Sequence, residues 1–386
     1  MKKVYLDYAA TTPVDKKVFE KMKSYFCKNF GNASSLHSFG RVAREAIEEA
    51  REKIAKCMKV NPNEIIFTSS GTESNNLALK GICEAYREKG KHIIVSAIEH
   101  DCILNTAKYL KTKGFDVDFA PVDEYGIVKL DALEKMLRKD TILVSVMTAN
   151  NEIGTMEPIE EIAEICKEKN VLFHTDACQA FAKIPINMEN IDLLTASSHK
   201  IYGPKGAALL FKKEGIKLTP LLHGGGHEFG SRSSTENVPA IVGFGYATEE
   251  YFKNRHNIAK KEIKIRDYLI KKVLEIPDSR LNGHPVKRLP NNAHFSFKYI
   301  EGESLIFELD EAEFAVSTGS ACSSKSLEPS HVLLAIGLKR EEAHGSLRVT
   351  IGKDTKFEDI KRFCEILPEK VDKLRKISPF KKGWKI

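Results

Sequence analysis

No run of about eighteen apolar residues occurs in the 386-residue chain, so the sequence predicts no membrane-spanning helix. The opening MKKVYLDYAATTP has two lysines, but Asp7 breaks its apolar stretch, which argues against a secretory signal peptide. Internal repeats, low-complexity tracts and linkers rich in Pro, Gly or Ser are missing. So are Cys-x-x-Cys pairs. The eight cysteines (27, 57, 83, 102, 166, 178, 322 and 364) follow no framework spacing and read as reduced thiols of a cytoplasmic protein. Neither GxxxxGK(S/T) nor GxGxxG is present, which argues against nucleoside-triphosphate and dinucleotide loops. Basic charge is not gathered into the patch that a nucleic-acid protein needs. Sixty Lys+Arg stand against 53 Asp+Glu, a net +7, and the one dense basic run, Lys381-Lys382 with Lys385, reads as a solvated tail.

What is there is an ordinary globular composition, 42% hydrophobic and 29% charged, long enough for two or three domains at about 150 residues each. From residue 60 onward short apolar runs alternate with longer amphipathic ones. Strands are predicted at 64–68, 91–96, 115–121, 141–147, 171–175 and 192–197, with helices at 72–89, 102–113, 130–138 and 158–169. In the last of these Ile159, Ile162, Ile165 and Cys166 share one face. Such alternation implies an α/β fold, a mainly parallel sheet covered on both faces. Ligands then bind at the carboxyl ends of the strands. Residues 69–72, Glu99-His100, 150–152, Asp176 and 197–200 fall at those ends. Composition shifts after residue 252. A Lys/Glu-rich helix at 257–274, strands at 295–299, 314–317 and 346–351, and a closing helix at 357–377 predict a second, smaller domain with a mixed sheet.

Lys200 follows a strand within Ser197-Ser-His199-Lys200 and precedes the turn Gly203-Pro-Lys-Gly206. A lysine fixed and partly desolvated there can form a Schiff base with an aldehyde cofactor; a plain surface lysine is the alternative. Asp176, ending a strand in HTDACQ, could hold a pyridinium nitrogen protonated or simply cap a helix. Gln179 could reach a ring oxygen. Residues 68–73 (TSSGTE) join a strand to a helix start, which suits a monoester phosphate and also a capping box of Ser70 with Glu73. His100 could stack on an aromatic ring and move protons, or be a satisfied loop histidine. His223 and His227 in HGGGHE have metal-like spacing, but three glycines oppose the helix that would align them, and no third ligand is apparent. Cys322 sits among small residues in STGSACSS, the setting expected for an exposed nucleophilic thiol on a mobile loop. Arg348, on a strand, could bind a substrate carboxylate through two parallel hydrogen bonds or form a structural ion pair.

Taken together these segments resemble the cysteine desulfurases, pyridoxal 5'-phosphate enzymes of the class-V aminotransferase family with the aspartate-aminotransferase fold. The resemblance runs nearly end to end, through YLDYAATTPVD, TSSGTESNN, ANNEIGT, HTDACQ, SSHKIYGPKG, STGSACSSKSLEPSHVL and EEAHGSLRVTIG. The long insertion after the cysteine resembles that of the group that serves iron–sulfur assembly. The resemblance implies a large cofactor-binding domain over 15–252 and a small domain made of 1–14 and 253–386. It implies that Lys200 carries the cofactor, His100 stacks on its ring, Asp176 pairs with the ring nitrogen and Gln179 with the ring hydroxyl. Gly71, Thr72, Ser197 and His199 would hold the phosphate, joined by Thr235 from the other subunit of a homodimer. Asn151 and Arg348 would bind the L-cysteine carboxylate. Cys322 would take the sulfur as a persulfide, leaving L-alanine, and pass it to an iron–sulfur scaffold or another acceptor protein. The family's RSGT reads Arg232-Ser-Ser-Thr235 here, so Ser234 would be strained if that position needs φ > 0. Another pyridoxal-phosphate activity, an aminotransferase or selenocysteine lyase, would not depend on Cys322. An idle scaffold binding partners through its C-terminal tail would need none of Lys200, Asp176 and Arg348.

Overall fold

The computed structural model describes residues 3–319 and 329–378; Cys322 and the basic tail from 379 lie outside them. The strands are β1 (Val4–Tyr5), β2 (Ile65–Thr68), β3 (His92–Ser96), β4 (Asp116–Ala120), β5 (Thr141–Ser145) and β6 (Leu172–Asp176). They continue as β7 (Leu193–Ser197), β8 (Ala208–Lys212), β9 (Ser279–Asn282), β10 (Asn292–Phe297), β11 (Phe314–Ala315) and β12 (Ser346–Thr350). A seven-stranded sheet in the order β2-β8-β7-β6-β5-β3-β4 forms the centre. β3 to β7 run parallel, and β8 is antiparallel to both β7 and β2. β2 therefore points the same way as β7, and its carboxyl end joins theirs on one edge.

Successive residues of a strand face opposite ways, and here both faces are covered. Ile93 and Val95 pack with Leu77, Ile82 and Ile103 of helices Gly71–Ala85 and Asp101–Thr112. Ile94, Val144 and Phe173 pack on the other side with Ile162, Cys166 and Phe244. Two-sided burial is why these strands read as unbroken apolar runs. A separate core gathers Val4 and Leu6 with Leu269, Phe295, Phe363 and Leu367 under a three-stranded antiparallel sheet, β12-β10-β9. Val332, Leu333 and Ile336, although late in the chain, join the larger core. Among the described residues, no helix is long and apolar enough to cross a membrane.

Three expectations need correction. Phe314–Ala315 leaves the small sheet and pairs in parallel with β1; β9 takes a place in that sheet instead. The helix expected at 257–274 spans Val238–Val273, begun by the Asn237 side chain accepting from the Ala240 N–H at 3.3 Å. Its first half is buried by Ile241, Val242 and Phe244, so it lacks the polar face that periodicity detects. A Cβ at Gly245 would lie 2.7 Å from Ala50 Cα, so the small residue lets this helix close onto Ser38–Met58. The capping box is also altered. Ser70 Oγ accepts from the Glu73 N–H at 3.1 Å, but the Glu73 carboxylate turns to the Ser69 N–H (2.8 Å) and to Arg232 Nε (2.8 Å).

Candidate active site

A cavity of about 300 Å³ opens at the carboxyl-end edge of the large sheet. Gly71, Thr72, His100, Asn151, Asp176, Gln179, Ser197, His199, Lys200 and Arg348 line it together. Thr235 is exposed and outside it. A roomier cleft of about 770 Å³, lined by Cys57, Phe181, Met188, Phe252 and Arg255 among others, holds none of these residues.

Lys200 ends the short turn Ser198–Lys200 after β7. Its Nζ donates to the carbonyls of Ala9 at 2.6 Å and Ala10 at 2.8 Å. Gln179 Nε2 donates to the same Ala9 oxygen at 2.9 Å, so residues 9 and 10 form a wall that holds both side chains. Asp176 closes β6 and is buried. Its Oδ1 accepts from the Cys178 N–H at 2.9 Å and its Oδ2 from Asn75 Nδ2 at 2.6 Å. The Asn75 amide also donates to Cys102 Sγ at 3.2 Å. His100 caps Asp101–Thr112, its Nδ1 accepting from the Cys102 N–H at 3.1 Å. Because a backbone N–H can only donate, the proton of a neutral His100 ring sits on Nε2. Burial, and then the charge of Asp176, push Glu99 well above the ordinary carboxylate range.

Where the helix Gly71–Ala85 starts, its free N–H groups and dipole favour an anion. A Cβ at Gly71 would lie 2.7 Å from Cys178 Sγ, so only glycine permits this approach to β6. Ser197 Oγ is buried without a hydrogen-bond partner among the described residues. His199 bonds Thr11 Oγ1 through Nδ1 at 3.1 Å. Burial first, then the charges of Lys200, Lys205 and Lys183, lower its pKa to about 4. Opposite stands Arg348 on β12, buried, its Nη2 paired with Asp7 Oδ1 at 2.9 Å. Nη1 donates to the Asn151 carbonyl at 3.0 Å, while Nε has no partner among the described residues. The ion-pair alternative for Arg348 is thus present, with donor capacity left over.

Sequence reasoning missed the Ala9 and Ala10 carbonyls, Asn75, Cys102 and Cys178. Asn75 was within reach, since it lies three and four residues beyond Thr72 and Gly71 on the same helical face. In HGGGHE the buried glutamate carries the structural weight: Glu228 accepts from Arg51 Nη1 at 2.8 Å and from the Phe67 N–H at 2.7 Å. His227 Nε2 bonds Ser34 Oγ at 3.1 Å. Ser234 is absent from the described residues with positive φ, so replacing a glycine costs no backbone strain there.

Residues 4–363 match the aminotransferase class-V family. The chain is 52% identical to the cysteine desulfurase IscS of Dictyoglomus turgidum, covering 100% of this chain and 98% of that one. A solved NifS-like protein superposes with a TM-score of 0.91 at 39% identity, over 96% of this chain and 100% of its own. SspA, solved in complex with cysteine, follows with a TM-score of 0.82 at 37% identity, over 91% of this chain and 99% of its own. In this chain Lys200, Asp176 and the start of Gly71–Ala85 meet at the strand ends of an α/β sheet. The chain belongs to the class-V aminotransferase family and, within it, to the pyridoxal-phosphate-dependent cysteine desulfurases. The cavity fits that cofactor: Ser197 Oγ, unpartnered among the described residues, and the start of Gly71–Ala85 suit its phosphate, Asp176 its ring nitrogen, and Lys200 its aldehyde.

Proposed function

We propose that this cysteine desulfurase converts L-cysteine to L-alanine with Lys200 as base, Arg348 as carboxylate anchor and Cys322 as sulfur acceptor. The observation that carries the reading is the meeting of Lys200 Nζ, the Asp176 carboxylate, Ser197 Oγ and the Arg348 guanidinium around one cavity. Pyridoxal phosphate, when bound, supplies an aldehyde for an amine and a ring that accepts the electron pair left by the departing α-proton. Gly71, Thr72, Ser197 and His199 would hold its phosphate, Asp176 would keep its ring nitrogen protonated, and Gln179 would face its hydroxyl. Arg348, through Nε, and Asn151 would bind and orient the substrate carboxylate. Lys200, once released by the substrate amine, would take the α-proton. The Cys322 thiolate attacks the substrate sulfur. An S–S bond forms and the C–S bond breaks, its electron pair passing to the substrate β-carbon. That carbon is then protonated to give alanine, and Cys322 keeps a persulfide. His100, with its proton on Nε2, would exchange a proton in this step.

We further propose a cytoplasmic homodimer in which Thr235 completes the partner's phosphate site, with sulfur passed on to an iron–sulfur scaffold or another acceptor protein. Exposed Phe19, Phe26, Phe30, Leu36 and Phe39 supply an apolar surface of the kind a second copy covers, and the described thiols are unpaired, as a reducing compartment keeps them. The separate apolar cores favour a division into a large domain over 15–252 and a small one of 1–14 and 253–386, with His331–Ala335 leaning on the larger. The deciding assay is alanine release from L-cysteine by the holoenzyme beside Cys322→Ser. Alanine from the wild type alone is expected. Equal release by both would remove Cys322 from the reaction, and none from either would favour an aminotransferase.

A further inference from the structure

Glu152 follows β5 in the loop that also carries Asn151, and its main chain is pinned on both sides. Its N–H donates to Asn150 Oδ1 at 2.8 Å, and its carbonyl accepts from Asn292 Nδ2 at 3.1 Å. Glu152 is buried, 4% exposed, at the wall of the same cavity. A carboxyl group in such a place needs a structural or functional partner to offset its desolvation. It meets both ends of the chain segment that carries Cys322.

On the far side of that segment, Ser330 Oγ donates to Glu152 Oε2 at 2.5 Å and also caps the helix His331–Ala335. The next residue, His331, bonds the Glu99 carbonyl through Nε2 at 2.9 Å, one position from His100. On the near side lies Gly319. A Cβ there would collide with Glu152 Oε2 and stand 3.0 Å from His294 Nε2, so glycine alone lets this stretch lie against the pair. The Gly319 carbonyl accepts from Arg348 Nη1 at 3.3 Å. His294 is buried beneath it and kept neutral, its pKa lowered to about 3 by burial and then by Arg348 and Arg288. His294 therefore adds no charge against which Gly319 would have to be packed.

We propose that Glu152 is a positioning residue for sulfur transfer: through Ser330 and Gly319 it fixes where the Cys322 segment leaves and rejoins the fold beside Arg348. The inference rests on Cys322 being the sulfur acceptor. It separates two tasks in one cavity, binding and activating cysteine on the strand edge, and presenting a thiol from a segment anchored by Glu152.

The test uses the holoenzyme and two readouts in a single turnover. One is the change in cofactor absorbance on adding L-cysteine; the other is persulfide on Cys322, measured by mass spectrometry of the quenched protein. Leaving a buried partner unsatisfied is expected to show as roughly a five- to hundredfold change in rate. Glu152→Ala is expected to keep the absorbance response at an unchanged half-saturating cysteine concentration while persulfide formation slows about tenfold or more. Ser330→Ala and Gly319→Ala should slow it about threefold to tenfold, and Glu152→Gln, which can still accept from Ser330, should restore most of it. Ser330→Ala and Gly319→Ala keep the test alive if Glu152→Ala does not fold. Persulfide formation at the wild-type rate in Glu152→Ala, or parallel loss of both readouts in all the variants, would overturn the proposal. Alanine made by the wild type without any persulfide on Cys322 would instead overturn the parent reading.

Discussion

The two sides of the cavity are assembled by different means. On the cofactor side, Asp176 and Ser197 are the last residues of β6 and β7, Lys200 follows within one turn, and Gly71 opens the helix after β2. Local chain direction places them. On the opposite side, Arg348 on β12 is tied to Asp7, Glu152 to Ser330, and Gly319 lies over His294 on β10. There, side chains from distant parts of the sequence hold one another. A site can therefore have one half built by sheet topology and another built by buried side-chain contacts, and the two should fail differently when disturbed.

Removing the base should give the largest effect. Lys200→Ala is expected to lower alanine release by at least about a thousandfold, the scale of losing a general base with its nucleophilic role. Borohydride followed by mass spectrometry should attach the cofactor to the wild type and leave the variant unlabelled. Arg348→Lys should separate the halves next. With the fork geometry gone, half-saturating cysteine should rise roughly ten- to a hundredfold, while cofactor affinity on the strand edge stays within about threefold. Cofactor affinity falling in step with substrate affinity would deny that the halves are separable.

A buried histidine on each side should show in the pH dependence of stability. His174 on β6 has its pKa lowered by burial to about 4, and His294 on β10 to about 3. Both lie below the ordinary 6.5, so each contributes stability that is present above pH 6.5 and lost as pH falls toward its folded value. Each makes stability fall by about 1.4 kcal/mol per pH unit in that window. His174→Gln and His294→Gln should each flatten the fall of Tm between pH 6.5 and 4.5, whatever they do to Tm at pH 7. Unchanged slopes would mean that neither ring stays neutral in the fold. The smallest effect belongs to Ser197→Ala. Losing one hydroxyl from the phosphate cradle should weaken cofactor binding about fivefold, yet leave the cofactor-free protein as stable or about 1 kcal/mol more so.

The same contrast explains what the sequence disclosed. Asp176, Ser197, His199 and Lys200 could be read because a polar cluster after an apolar run marks a strand's carboxyl end, and parallel strands bring such ends together. The tie of Arg348 to Asp7 spans most of the chain and leaves no periodic trace, and neither does the contact of Glu152 with Ser330. Ala9 and Ala10 serve through carbonyl oxygens that any residue carries, so no residue type could announce them. The start of the helix at Val238 was missed because burial removes the amphipathic signal; the strand at Phe314 was read, but not its pairing with β1, because two residues show no period that could assign a partner.

The pairing of β1 with β11 has a consequence for how the molecule comes to be made. Leu6 is held by Ala315 and Thr350, Asp7 by Arg348, and the carbonyls that grip Lys200 belong to Ala9 and Ala10. On the ribosome these early residues emerge well before 314–350 and must wait for them. The strand edge can fold while synthesis continues, yet β1 has its pairing partner only when the late segment arrives. A bulky fusion placed just before Val4 should therefore delay maturation more than it harms the finished enzyme.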